Sequence, residues 1–172
     1  MDRECMSNEE NYAFDVAGYL HVPGVLSRAQ VEEVNALLDA STRNEGMLGW
    51  PSPQRDAFRD LLVNPQLVWY LNQIMGHGFR LDQAPRLLGA REGEIGGPLT
   101  GGDEPRDPSP AYYLQNGRRS CQALKAIWVL EDVEENDGGL VVVQASHKSN
   151  VQTPQELADG TDEMGLVKQP TL

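Results

Sequence analysis

Residues 126–148 read A-I-W-V-L-E-D-V-E-E-N-D-G-G-L-V-V-V-Q-A-S-H-K. The run from 121 to 133 alternates at the two-residue period of a strand. Leu124, Ala126, Trp128 and Leu130 fall on one face, and Lys125, Ile127 and Val129 on the other. Both faces are apolar in mid-run, which predicts a central strand covered on both sides. Asn136-Asp137-Gly138-Gly139 is a turn signal, and residues 140–143 read as the return strand. The second part of the chain is therefore predicted to be an antiparallel sheet.

Towards the N-terminus the period becomes helical. Ser27 and Gln30 form a capping box, with Leu26 and Val31 at the staple positions and Val31, Val34, Leu37 and Leu38 along one face. Residues 56–62 predict a short helix. Residues 65–75 predict another, with Asn64 as cap, Pro65 in the first turn, Gly76 as stop and an inner face of Leu67, Val68, Leu71 and Ile74. Residues 14–25 carry Gly18, Pro23 and Gly24 and read as an extended approach to the first of these helices. Residues 79–88 alternate loosely, consistent with one or two strands. Residues 89–110 form a long irregular stretch rich in Gly, Pro and acid.

The chain has 172 residues, with 14 Lys and Arg against 26 Asp and Glu, a formal net charge of −12. That length suits one domain, divided into a flexible tail (1–11), a helical part (12–78), strands (79–154) and a C-terminal tail (155–172). The acidic balance and the lack of any Lys/Arg cluster argue against nucleic acid and against anionic membranes. No 18-residue apolar run exists, and residues 1–10 lack the apolar core of a secretory signal. Cys5 and Cys121 have no zinc-ribbon spacing and no expected disulfide, so the expected compartment is a reducing cytoplasm.

The segment 126–148 resembles the phytanoyl-CoA dioxygenase family of Fe(II)/2-oxoglutarate oxygenases. The resemblance rests on W-x-L-x-D-V at 128–133, D-G-G at 137–139, the V-V strand and S-H-K at 146–148. Gln144-Ala145 stand where that family has Pro-Gly. Gly18-Tyr19-Leu20-x-Val22-Pro23-Gly24-Val25-Leu26-Ser27 is similar to the family's opening, and the likeness spans about residues 12–154. It implies an α+β fold: N-terminal helices packed on a double-stranded β-helix, or jelly roll. It also implies Fe(II) and 2-oxoglutarate as cofactors for hydroxylating a small organic substrate.

Such iron is held by two histidines and one carboxylate. The closest subgroup of the family reads Leu-His-Gly-Gly where this chain has Leu99-Thr100-Gly101-Gly102. Thr100 thus stands at the histidine position, and a hydroxyl is a poor Fe(II) ligand. Gly102 stands at the carboxylate position, with Asp103 beside it. The second family histidine and the base that pairs with 2-oxoglutarate lie past Leu172. Roughly 75 residues go to helices, and eight strands of about five or six residues hardly fit in the remainder. The expectation is an incomplete barrel, a truncated chain, weak iron binding, no metal ligand set and no catalytic residue.

Trp128 matches a tryptophan that the resemblance places against the cosubstrate, and it reads equally as a core aromatic. Arg91 is the candidate cation for an anionic cosubstrate, against the ordinary role of a solvated loop arginine. By the resemblance His147 shapes a loop and is not a ligand; an iron site rearranged onto His147 and Asp103 is a weaker alternative. Lys125 reads as a sheet-margin residue, Tyr112 and Tyr113 as packing on the sheet, and His21, His77, Arg118, Arg119, Glu131 and Asp132 as surface. A reading from another class is a non-catalytic binding or assembly module, in which open sheet edges pair in a homodimer.

Overall fold

In the computed structural model, residues 4–41, 45–88, 99, 112–133, 139–149 and 151–170 are described. The chain is α+β, with helices in the first half and small antiparallel sheets in the second.

The first helix, α1 (Asn8–Ala17), starts inside the expected flexible tail. Its cap is a full capping box: the Glu10 N–H donates to Ser7 Oγ at 3.0 Å, and the Ser7 N–H donates to Glu10 Oε2 at 2.7 Å. Met6 and Phe14 are buried beside Tyr70 and Ile74, which fixes the segment onto the body. The extended approach begins only at Gly18, whose left-handed conformation (φ 86°) ends the helix and lets its N–H reach the Phe14 carbonyl.

Helix α2 (Arg28–Asp39) carries the expected Ser27/Gln30 box. Helix α3 (Gln54–Leu62) begins slightly earlier than expected. Helix α4 (Pro65–Met75) keeps its predicted bounds, with Asn64 Oδ1 accepting from the N–H groups of Gln66 and Leu67. Its most buried residues are Tyr70 and Ile74, so the inner face is turned from the predicted one. Tyr70 reaches it because its hydroxyl donates to Glu10 Oε1 at 2.7 Å. A second cluster of Val34, Met47, Phe58 and Leu61 joins α2, the turn at Met47–Gly49 and α3.

The strands differ more from expectation. Among residues 79–88 there is one isolated bridge, Glu45 to Arg86, and no strand. Leu81, Leu87 and Leu88 are exposed, so no apolar face is buried there to stabilise a ladder. A hairpin not read from the sequence appears instead, β1 (Tyr112–Gln115) with β2 (Arg118–Cys121). Asn116 and Gly117 both have positive φ (52° and 72°), the pair of left-handed residues that matches hairpin twist.

The long central strand predicted over 121–133 is not formed: β2 ends at Cys121, where that strand was expected to begin. Residues 122–133 continue outside any ladder among the described residues. Of the predicted inner face Leu124, Trp128 and Leu130 are half-buried but Ala126 is exposed, and Ile127 and Val129 are exposed rather than covered. A helix side chain serves this backbone: Asn35 Nδ2 of α2 donates to the Leu130 carbonyl at 2.8 Å. The return strand shrinks to β3 (Val142–Val143). It pairs antiparallel with β4 (Val167–Lys168), which follows the short helix α5 (Gln155–Ala158) in the expected polar tail. No helix among the described residues is long and apolar enough to cross a membrane.

Candidate functional site

Among the described residues, a dense polar arrangement lies where the end of α1, strand β1 and the 3-10 turn Ser146–Lys148 meet. Ala145 precedes the turn with a left-handed backbone (φ 66°), which turns the chain back onto α1. Its N–H then donates to the Ala17 carbonyl at 3.0 Å, one of the carbonyls a helix end leaves without an internal partner. The His147 ring follows it in, with Nε2 3.1 Å from the Asp15 carbonyl. A carbonyl only accepts, so this geometry assigns the ring hydrogen to Nε2.

Asp15 is the hub. Its Oδ1 accepts the Tyr112 hydroxyl at 2.6 Å and its Oδ2 accepts Lys148 Nζ at 2.8 Å. The Lys148 and Tyr112 hydrogen bonds hold its carboxyl below the usual carboxylate range against the opposing effect of burial, with the Lys148 charge adding to them. Burial, then the bond to Asp15, pushes the Tyr112 phenol up to about 12. Burial, then the Lys148 charge, pushes the His147 ring below its ordinary value.

Aromatic packing closes the junction. Tyr112 stands edge-on to His147 at 4.7 Å and to Phe14 at 5.8 Å. Arg119, expected at the surface, lies over the Phe14 ring at 5.5 Å and donates to Asn11 Oδ1 at 3.0 Å. The carboxylate and phenol are committed to each other and to Lys148, so neither is a free acid or base. The arrangement fastens a helix end to a hairpin.

Trp128 lies apart from this junction, half-buried against the Val34–Met47–Phe58–Leu61 cluster beside Leu130. Arg91, its expected partner at a cosubstrate, lies outside the described residues, as do Thr100, Gly102 and Asp103. His21, His77, Lys125, Glu131 and Asp132 are exposed. Burial pushes the Cys121 thiol up, and Cys5 is an exposed free thiol.

At the two positions that the resemblance assigns to iron ligands, the sequence carries neither an imidazole nor a carboxylate. A threonine hydroxyl at 100 and a missing side chain at 102 do not make a histidine–carboxylate pair. His147 commits Nε2 to α1, and its Nδ1 is buried against Gly18. Among the described residues no three His, Cys, Asp or Glu side chains converge.

The resemblance implied a loop-shaping His147, and the sequence reading missed Asp15, Gly18 and Tyr112 as its neighbours. Gly18 directly behind a capping-box helix was the available signal. Comparison with family models, curated proteins and solved structures gives no match.

Proposed function

We propose that this chain is a non-catalytic relative of the phytanoyl-CoA dioxygenases, built on the jelly-roll lineage without its iron chemistry. One observation carries the reading. Ala145 holds φ 66°, a conformation suited to glycine, at the position where the family pattern P-G-S-H-K has glycine. The S-H-K turn then folds onto Gly18, within the other stretch that carries the resemblance. Two distant segments likened to one family thus meet through a backbone shape that the family's glycine suits.

The loss of chemistry follows from Thr100 and Gly102. Without an imidazole and a carboxylate at those positions, Fe(II) is held weakly and 2-oxoglutarate has no metal to chelate. A reducing, cytoplasmic setting belongs to the same reading and rests on the exposed Cys5 thiol. The test is anaerobic Fe(II) titration of the purified chain, followed by a succinate assay with 2-oxoglutarate and oxygen. No saturable iron binding and no succinate above a metal-free control are expected. Iron-dependent succinate formation overturns the reading.

A second reading, assembly with another copy through sheet edges, is favoured by exposed Ile127 and Val129 on an extended segment with no ladder among the described residues. Light scattering over a dilution series tests it. A dimer mass is expected, and a monomer throughout retires it.

A further inference from the structure

We propose that the junction between α1 and the Ser146–Lys148 turn is a proton-operated latch, closed while the His147 ring is neutral and opened when the ring takes a second proton.

The ring spends its one hydrogen on the Asp15 carbonyl through Nε2. A second proton must therefore go to Nδ1. That atom is buried, has no hydrogen-bond partner, and faces the space left by the missing side chain of Gly18. As a bare lone pair against a Cα it is tolerated. As an N–H it becomes a buried donor without an acceptor, on a ring that has also become a cation.

The surrounding charges do not rescue it. From the turn, Lys148 adds a like charge. From the hairpin, Tyr112 presents a ring edge, and its hydroxyl already belongs to Asp15. Arg119 brings a second cation over Phe14, the ring His147 also packs against. From α1, Asp15 attracts the proton, but both its carboxylate oxygens are engaged. The Nδ1 proton is accommodated by swinging the ring into water.

Leaving the pocket breaks the ring's bond to α1 and loosens the Ala145–Ala17 and Lys148–Asp15 bonds around it. Strand β3 ends two residues before Ala145, so the opening runs into the β3–β4 pair. The observable is thus local: the turn parts from the helix while the two hydrophobic clusters stay closed.

The experiment uses the whole chain from about pH 8 to about pH 5, where an ordinary histidine titrates. Ring proton shifts follow His147. Hydrogen exchange, referenced to intrinsic peptide rates, follows the Ala145 amide. Its protection is expected to fall by up to about tenfold per pH unit between the open ring's pKa and the latched ring's. His147→Gln, which keeps a donor but cannot charge, is expected to abolish that dependence. Lys148→Gln, which removes the facing cation, is expected to move the transition to higher pH and serves if His147→Gln does not fold. Wild-type protection flat across the range overturns the latch. So does an unchanged pH dependence in His147→Gln, or an unmoved transition in Lys148→Gln.

Discussion

His147 fills the space that a side chain at Gly18 would need. A Cβ built on Gly18 stands 2.9 Å from the ring's Cγ and 3.0 Å from its Cε1, inside any normal contact. The two residues are held in this relation by the Ala145–Ala17 and His147–Asp15 hydrogen bonds on either side. Glycine at 18 is thus needed twice, for its left-handed φ of 86° and for the close approach of the imidazole.

Gly18→Ala is expected to destabilise the chain by more than the about 1–2 kcal/mol that left-handed backbone alone costs a side chain. Urea denaturation measures the loss. In a His147→Ala background the same substitution is expected to cost less, because the overlap is gone while the φ is unchanged. Equal losses in both backgrounds would mean the ring does not press on this glycine in solution.

Ala145→Gly is the converse. Ala145 holds φ 66° with a side chain that disfavours it, so glycine is expected to stabilise by up to about 1 kcal/mol, partly offset by the freer unfolded chain. A lowered urea midpoint would contradict the strained turn.

The Asp15–Tyr112 pair sets two pH limits of opposite sign. Asp15 is held below its ordinary 3.8, so its contribution is present above that pH and is lost as pH falls through the depressed folded-state value. Tyr112 is raised from 10.0 to about 12, so its contribution is full below pH 10 and is lost as pH rises through about 12. Asp15→Asn is expected to flatten the acid limb, and Tyr112→Phe the alkaline one, in thermal melts across pH. The partly exposed Asp15–Lys148 ion pair is expected to add no more than about 1 kcal/mol.

The caps and the core give further values. Ser7→Ala and Ser27→Ala each remove a side chain that completes a capping box, at an expected cost of about 1 kcal/mol. Phe58→Ala empties the centre of the second cluster and is expected to cost about 3–5 kcal/mol. Leu114→Ser on exposed β1 is the control, expected within about 0.5 kcal/mol of wild type. Chemical denaturation of all four distinguishes a packed helical core from a loose one.

Features settled within a few residues were legible in the sequence. The Ser27–Gln30 box and the span from Asn64 to Gly76 are bonds between near neighbours, so the chain specifies them alone. The Ser7–Glu10 box is just as local, but the polar composition of the first ten residues led to the reading of a flexible tail, so this capping signature was missed. Alternation in 121–133 marked Leu124, Trp128 and Leu130 as the covered side, although Ala126 of the same set is exposed. It did not say what lies beside the backbone. There the tertiary structure supplied an asparagine of α2 at Leu130, and for β3 a partner from the C-terminal segment.

The junction divides in the same way. The resemblance gave S-H-K as a shaped loop, whereas Gly18 was read within an extended approach and instead ends α1. That His147 lies on the Asp15 carbonyl, 132 positions away, follows only once buried Phe14 and half-buried Tyr112 bring α1 against the hairpin. A carbonyl at a helix end accepts any donor that arrives. Hydrophobic packing of the whole chain, rather than a local pattern, selects which one does.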